Sequence, residues 1–259
     1  MKLPINITAE TYNKVPAVAL SFWLIKVMST TVGETVADYL AVDAGFGQTS
    51  TRVAMLLALA CALFVQMRAE RCRPISYWLT VVLVSVVGTQ ITDTLTDGLG
   101  ISLYASTAAF LILLLLTFAL WYLSEGTLSI DHIDSRKRET FYWLTILCTF
   151  ALGTAAGDLA TEAMGLGFQL GVGVFSALIA LVFVAYRLGA HAVLVFWVAY
   201  ILTRPLGAAL GDFLSQAGQD GGLGLGAMWT SVIFLGAIVV LVAKAQRQGQ
   251  NPMQMANQN

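Results

Sequence analysis

Charge is scarce in this chain. Only 11% of its 259 residues are Asp, Glu, Lys or Arg, against 58% hydrophobic, whereas a soluble domain carries about 25% charged residues. A surface this poor in charge meets lipid rather than water, which excludes an ordinary soluble domain. No basic block offers itself to nucleic acid, and the net charge of −1 singles out no partner. Cys61, Cys72 and Cys148 have no metal-ligand spacing and read as free thiols. No Gly-rich phosphate loop, zinc-type His/Cys spacing or nucleophile elbow stands out, and "GVGVF" (171–175) opens an apolar span without a phosphate-binding context. No nucleotide-binding domain is recognisable, so no ATP-driven step, no enzymatic activity and no cofactor beyond a bound cation is expected. The first 14 residues lack the basic-then-apolar order and cleavage site of a signal peptide, so the first span is expected to stay in the mature protein.

Long apolar runs are what the chain does have. A membrane span needs roughly 20 mainly apolar residues. Eight runs qualify, near 15–41, 52–69, 75–97, 101–123, 141–164, 168–187, 190–214 and 224–243. The second and sixth are short and rely on flanking side chains that snorkel. Lys2 and Lys14 precede the first span; Arg68, Arg71 and Arg73 follow the second; Arg136, Lys137 and Arg138 follow the fourth. Arg187 and His191 separate the sixth from the seventh, and Lys244 with Arg247 follow the eighth. All these clusters fall on one side. The opposite loops, around 42–51, 98–100, 165–172 and 215–223, contain no lysine or arginine, with Arg52 just past the first. The positive-inside rule then puts both termini in the cytoplasm. Residues 1–14 read as a cytoplasmic N-terminal segment, 124–140 as a cytoplasmic linker between two halves, and 244–259 as a disordered tail.

The spans repeat. "FWLIKVMSTTVGETVAD", "YWLTVVLVSVVGTQITD", "YWLTILCTFALGTAAGD" and "FWVAYILTRPLGAALGD" align without a gap. Each opens with an aromatic and a tryptophan: Trp23, Trp78, Trp143, Trp197. Glycine follows ten residues later (Gly33, Gly88, Gly153, Gly207) and aspartate fifteen residues later (Asp38, Asp93, Asp158, Asp212). A glycine-containing loop and a plainer apolar span complete each unit, so one unit is a two-helix hairpin. Four units, 15–73, 74–123, 141–188 and 189–243, run in parallel topology because two spans restore the starting side. The fold class expected is an all-α polytopic membrane protein of eight transmembrane helices. On these motifs, covering about 15–243, the chain resembles a bacterial uncharacterised integral-membrane family built from four tandem two-helix repeats, each with a characteristic tryptophan. The resemblance implies the architecture and the cytoplasmic (inner) membrane of a bacterium, and attaches no activity.

Positions four apart share a helix face. Seven, eleven, fifteen and nineteen residues after each tryptophan stand Thr30, Glu34, Asp38 and Val42; Ser85, Thr89, Asp93 and Asp97; Phe150, Thr154, Asp158 and Glu162; and Arg204, Ala208, Asp212 and Gln216. Lys26 extends the first stripe. Beside this ridge runs one of small residues, Gly33/Ala37, Gly88/Thr92, Gly153/Gly157 and Gly207/Gly211, which lets helix backbones approach closely in lipid. The odd-numbered spans are therefore expected to meet through the small ridges, with the aspartates turned to a shared interior and the even-numbered spans outside. Each aspartate lies about 22 Å along its helix from its tryptophan, towards the outer side of the membrane. Pro205 is a candidate kink. The tryptophans are expected as interfacial anchors.

Seven acids (Glu34, Asp38, Asp93, Asp97, Asp158, Glu162, Asp212) face only Lys26 and Arg204 as internal counter-charges. A charge at mid-bilayer costs about 2.5–3.5 kcal/mol even on the lenient scale. Several excess acids, unpaired and dry, would cost on the order of 10 kcal/mol. Protonation, a bound cation or a wet cavity relieves that, and each suits a cation pathway. With Thr30, Thr89 and Thr154 the ligands are all oxygen, which suits hard cations such as Mn²⁺, Mg²⁺, Ca²⁺ or alkali ions. Asp38, Asp93, Asp158 and Asp212 are the candidate metal ligands. The expected function is a secondary, proton-coupled transporter of a small hard cation, whose partners are the bilayer, the cation and protons. The alternatives are a transporter of small organic cations held by Phe22, Tyr77, Tyr142 and Phe196, a cation channel, a membrane enzyme or a scaffold. A purely structural reading also stands for the aspartates, which lie near helix ends, and solvation alone accounts for Asp97 and Glu162.

Overall fold

The computed structural model describes residues 13–40 and 48–256. They form eight long helices and no strand: α1 (Leu20–Asp38), α2 (Gln48–Arg68), α3 (Pro74–Asp93), α4 (Leu103–Glu125), α5 (Arg136–Asp158), α6 (Phe168–Arg187), α7 (Ala192–Ser215) and α8 (Ala227–Ala256). Local signals set several ends. Ser102 and Ser135 cap α4 and α5 by accepting the amides of Ala105 and Arg138. Pro74 opens α3, where its missing N–H costs nothing, and Gly126 closes α4 in the left-handed conformation, φ 69°. Residues 1–12 and 41–47, including Val42 and the "GFG" loop, lie outside the described residues.

Seven of these helices, α2 to α8, contain stretches long and apolar enough to cross a membrane. The chain is thus a multi-pass membrane protein. The exception, α1, carries Lys26, Glu34 and Asp38 within 19 residues.

The helices form two concentric layers. α1 packs on α3, α3 on α5, α5 on α7 and α7 back on α1, closing an inner ring. Each outer helix packs on the inner helix of the following unit: α2 on α3, α4 on α5, α6 on α7 and α8 on α1. The apolar stretches of α3, α5 and α7 are 61–67% buried, those of the outer helices 11–22%. On α4, Leu111, Ile112, Leu113, Leu115 and Leu116 are all exposed. Holding a half-exposed leucine or isoleucine in water forfeits about 1 kcal/mol, so this wall is stable only against lipid.

The inner ring closes through the glycines. A Cβ placed on Gly33 would overlap Ser85, one on Gly88 would meet Phe150 Cβ at 2.8 Å, one on Gly153 would meet Arg204 Cβ at 2.5 Å, and one on Gly207 would overlap Thr30. In each case the glycine ten residues after one tryptophan receives the residue seven after the next unit's tryptophan, and the fourth unit returns to the first. Pro205, inside α7, packs on Gly153 and Gly157.

Two sequence expectations, on the tryptophans and on the C-terminal tail, differ from the structure. The tryptophans are not interfacial anchors: Trp78, Trp143 and Trp197 are buried and Trp23 half-buried, within a core of Phe22, Tyr77, Tyr142 and Phe196. An aromatic pair on every inner helix at one level packs ring against ring on the neighbouring inner helices, as Phe22 does on Trp78, Tyr77 on Trp143 and Tyr142 on Trp197, which a lipid-facing belt would forgo. The 124–140 linker is held against the bundle. Ile130 and Ile133 are buried, Lys14 N donates to Ile133 O at 3.1 Å, and Trp197 Nε1 donates to Leu128 O at 2.9 Å. Lys14 and Glu139, both buried, pair at 2.6 Å. Finally, α8 runs on to Ala256, where a disordered tail from 244 is expected.

Candidate functional site: an acidic chamber in the inner ring

The four-residue spacing on each inner helix stacks the ring into layers. At the end of the tryptophans, the layer one residue before each of them is Phe22, Tyr77, Tyr142 and Phe196, all buried. Four residues on stand Lys26, Val81, Ile146 and Tyr200, and four beyond those Thr30, Ser85, Phe150 and Arg204, every one of them fully buried. Next come Glu34, Thr89, Thr154 and Ala208, then the four aspartates. Tyr77 and Tyr142 hydroxyls, on the neighbouring helices α3 and α5, hydrogen-bond to each other. The side chains of these three layers, from the tryptophan end up to the level of Thr30 and Arg204, are thus all buried.

Above that level it opens. A cavity of about 220 Å³ is lined by all seven expected acids, Glu34, Asp38, Asp93, Asp97, Asp158, Glu162 and Asp212, together with Ala37, Thr51, Arg52, Gln90, Thr96, Leu103 and Gln216. Glu34 and Asp212 are buried at its base; Asp38, Asp93 and Asp158 are half-buried; Asp97 and Glu162 are exposed at its mouth. Single π-helical segments, Thr94–Gly98 and Leu159–Ala163, follow Asp93 and Asp158 directly and carry Asp97 and Glu162. Such wide turns recur at functional sites because they re-aim side chains out of α-helical register.

The acids are not equally placed. Among the described residues, Glu34, Asp38 and Asp212 each offer an oxygen within 4.8 Å of the others, a spacing at which one metal ion can be shared. The expected metal set was the four aspartates; Asp93 and Asp158 line the cavity but stand outside this trio, and Glu34 joins it.

The threonines expected as ligands do not line the cavity. Thr30 Oγ1 donates to Val27 O at 2.6 Å and Thr203 O at 3.0 Å, and Thr154 Oγ1 donates to Phe150 O at 3.1 Å. Thr89 Oγ1 donates to Ser85 O at 3.2 Å and accepts from Arg204 Nη2. A threonine inside a helix finds the carbonyl one turn back, and these three take that option.

Of the two internal cations, Arg204 has an acidic partner: its Nη2 lies 2.6 Å from Glu34 Oε2 at the chamber's base. Lys26 does not match its expected role as a counter-charge to the acids. Its ammonium sits 4.0 Å from the Phe150 ring centre and 4.2 Å from that of Tyr200, with no hydrogen-bond partner. Aromatic faces attract a cation by about 0.5–2 kcal/mol. The rings expected as an organic-cation cage are sealed at the far end of the bundle, packed on one another.

Sequence reasoning missed Gln90, Arg52, Thr51 and Thr96 as chamber residues. Arg52 had a signal, as the lone basic residue beside the loops that lack one. Gln90 had none, because it lies one residue off the stripe. Gln90 and Arg52 also border a second, apolar groove of about 210 Å³ between α2 and α3, completed by Leu56, Val87, Ile91, Thr94 and Leu95.

No curated protein and no solved structure matches the chain. The family model described as Repeat of Unknown Function (DUF347) matches four times in tandem, at residues 21–72, 76–127, 141–189 and 195–250. Each match takes in one Trp–Gly–Asp unit with its outer helix, and together the four span most of the sequence, so the chain belongs to this repeat family.

Proposed function

We propose that this protein is a secondary transporter of a small hard cation, coupled to proton exchange at the chamber's carboxylates. One observation carries the reading: seven acids from four repeats converge on one cavity whose base is buried, while the bundle beyond it is closed by aromatic layers and Lys26. An acidic vestibule sealed at one end is what alternating access requires in one of its states. Fully buried cations at Lys26 and Arg204 below the chamber favour a transporter over an open cation channel. The donors are carboxylate and amide oxygens, which suit a Mn²⁺-, Ca²⁺- or Mg²⁺-like ion over copper. Charge distribution along the sequence supports both termini inside, α1 as an eighth span and the chamber facing outwards; the bacterial inner membrane is what the family resemblance implies.

The groove beside Gln90 and Arg52 favours a second reading, a small organic cation with an apolar portion, because an apolar pocket adjoins the acids. Ion flux into proteoliposomes, measured for wild type and for Asp38→Asn, Asp93→Asn, Asp158→Asn and Asp212→Asn, tests the first. Flux that none of the four changes sinks it, and flux of alkylamines without any metal ion favours the second.

A further inference from the structure

We infer that Asn13, Lys14 and Glu139 form a latch over the closed end of the bundle, and that parting Lys14 from Glu139 is the step that frees this end to open. The opening rests on the transport reading; the latch as the contact that keeps this end shut stands separately.

A short strap ahead of α1 ties together segments far apart in the sequence. The Asn13 side chain donates from Nδ2 to Ile130 O at 3.1 Å and accepts from Ile133 N at 3.2 Å, while its backbone carbonyl accepts from Cys72 N at 3.2 Å. Lys14 N donates to Ile133 O at 3.1 Å, and the Lys14 ammonium donates to Glu139 Oε2 at 2.6 Å and to Met67 O at 3.2 Å. The end of α2, the turn into α3, the segment before α5 and the first turn of α5 therefore meet on two residues. Val15, Ile130 and Ile133 are buried in the same core as Phe22, Trp78, Trp143 and Trp197, so the strap lies directly on the closed end. It precedes the first unit, the turn joins the first to the second, and the 128–133 segment joins the second to the third. Units held in this way cannot part here until the strap lets go.

The chemistry of the contact suits release. A contact that only stabilised this end would do as well with apolar side chains, since a buried ion pair gains little over well-packed hydrophobic residues. Glu139 is buried with Lys14 as its partner, and its second oxygen, Oε1, has no hydrogen bond. Such a pair is half satisfied inside and fully satisfied in water. Water is close, because Arg136 and Lys137, in the same helical turn as Glu139, are exposed. Separation exchanges one ion pair for the hydration of both charges, which keeps the difference between the shut and released forms small.

The test uses the full-length chain carrying Cys61→Ser and Cys148→Ser, so that Cys72, whose amide the strap holds, reports maleimide access to the closed end. Glu139→Gln strands the Lys14 charge and should raise the Cys72 labelling rate at least tenfold in protein that stays monodisperse. Lys137→Gln, which removes an exposed partner of Glu125, should leave the rate unchanged. The apolar pair Lys14→Met/Glu139→Leu serves if Glu139→Gln does not fold. It should melt at or above wild type and label no faster, yet carry Mn²⁺, the probe ion, into proteoliposomes at least fivefold more slowly, because an apolar contact gains nothing from water on opening. Wild-type flux in that pair makes the contact merely structural and overturns the inference, as does Cys72 labelling indifferent to a folded Glu139→Gln. A wild-type chain that moves no cation removes the transport reading and leaves Cys72 labelling to decide the latch; wild-type flux together with that indifference removes the latch alone.

Discussion

Alanine at the four ring glycines should destabilise the protein where alanine at other helical glycines does not. At Gly88 and Gly153 the new methyl would lie 2.8 Å from Phe150 Cβ and 2.5 Å from Arg204 Cβ; at Gly33 and Gly207 it would overlap Ser85 and Thr30. A Cβ cannot be moved by changing a rotamer, so the helix backbones must part. An added methyl in a tight core costs about 1–3 kcal/mol, and these contacts belong at or above the upper end. Against that, alanine for glycine inside a helix gains roughly 1 kcal/mol of propensity. The net expectation is a loss of about 1–2 kcal/mol at each ring position. At Gly157 and Gly211, where the nearest atoms stand at 3.3 and 3.2 Å, the two effects nearly cancel. At Gly173 and Gly236, with nothing within 4 Å, the gain remains. Apparent melting temperatures in one detergent, with monodispersity as the fold control, give the ranking. Ser85→Gly should recover part of the loss in Gly33→Ala and none of the loss in Gly153→Ala. If the four ring variants melt at or above Gly173→Ala, the closed ring of glycine contacts is wrong.

Three further outcomes follow from buried groups. Glu34→Gln should cost about 3–5 kcal/mol, because it leaves the Arg204 charge buried and unpaired; melting of Glu34→Gln/Arg204→Met should lie well above that of the single variant, and equal melting removes the pair as a stabilising contact. Lys26→Met should be neutral or stabilising in the same assay, since the ammonium it removes has no hydrogen bond and a buried charge is costly; a drop of several degrees counts against that placement. Burial pushes the Cys72 thiol, between α2 and α3, up to about 12. At pH 8 it should hold roughly a thousandfold fewer thiolates than a cysteine of pKa about 8.5, so maleimide labelling of a Cys61→Ser/Cys148→Ser chain should be slow and accelerate with each pH unit above 8; a rate already level at pH 9 contradicts it.

Most of the architecture was legible because the repeat is gapless. The tryptophan, glycine and aspartate positions fix a stripe on each inner helix, and one stripe repeated four times has few ways to bury its acids other than facing a common axis. That placed all seven acids in one chamber. What failed were inferences drawn from residue type without a level along the axis. Thr30 and Thr154 share the stripe with the aspartates but lie in packed layers, where a helix carbonyl takes the hydroxyl. The tryptophans suit a membrane interface by composition, yet an aromatic pair repeated on four converging helices packs between neighbouring helices instead. Gln90 was invisible because the gap between α2 and α3 that admits it depends on how the outer helix docks on the next unit, which a repeat pattern does not encode.

The divergence between units bears on mechanism. At the glycine and aspartate positions the four repeats are identical, and these hold the ring together and line the chamber. Between the aspartates and the tryptophan end, equivalent positions differ in every unit: Lys26, Val81, Ile146 and Tyr200 in one layer, Thr30, Ser85, Phe150 and Arg204 in the next. A symmetric pore would want these layers alike, since a ring of four equal side chains presents one radius and one field to an ion on the axis. Instead each layer holds one cation and at least one aromatic, fully buried. Lys26 of the first unit lies on Phe150 of the third and Tyr200 of the fourth, and Arg204 of the fourth bonds Glu34 of the first and Thr89 of the second. If the proposed transport opens the closed end, units must move relative to one another, and two of these four contacts, Lys26–Tyr200 and Arg204–Glu34, join the fourth unit to the first. If the first and fourth units move together as one body, a disulfide between α1 and α7 should leave flux intact; if they move apart, as these contacts predict, the same disulfide should arrest flux and its reduction should restore it.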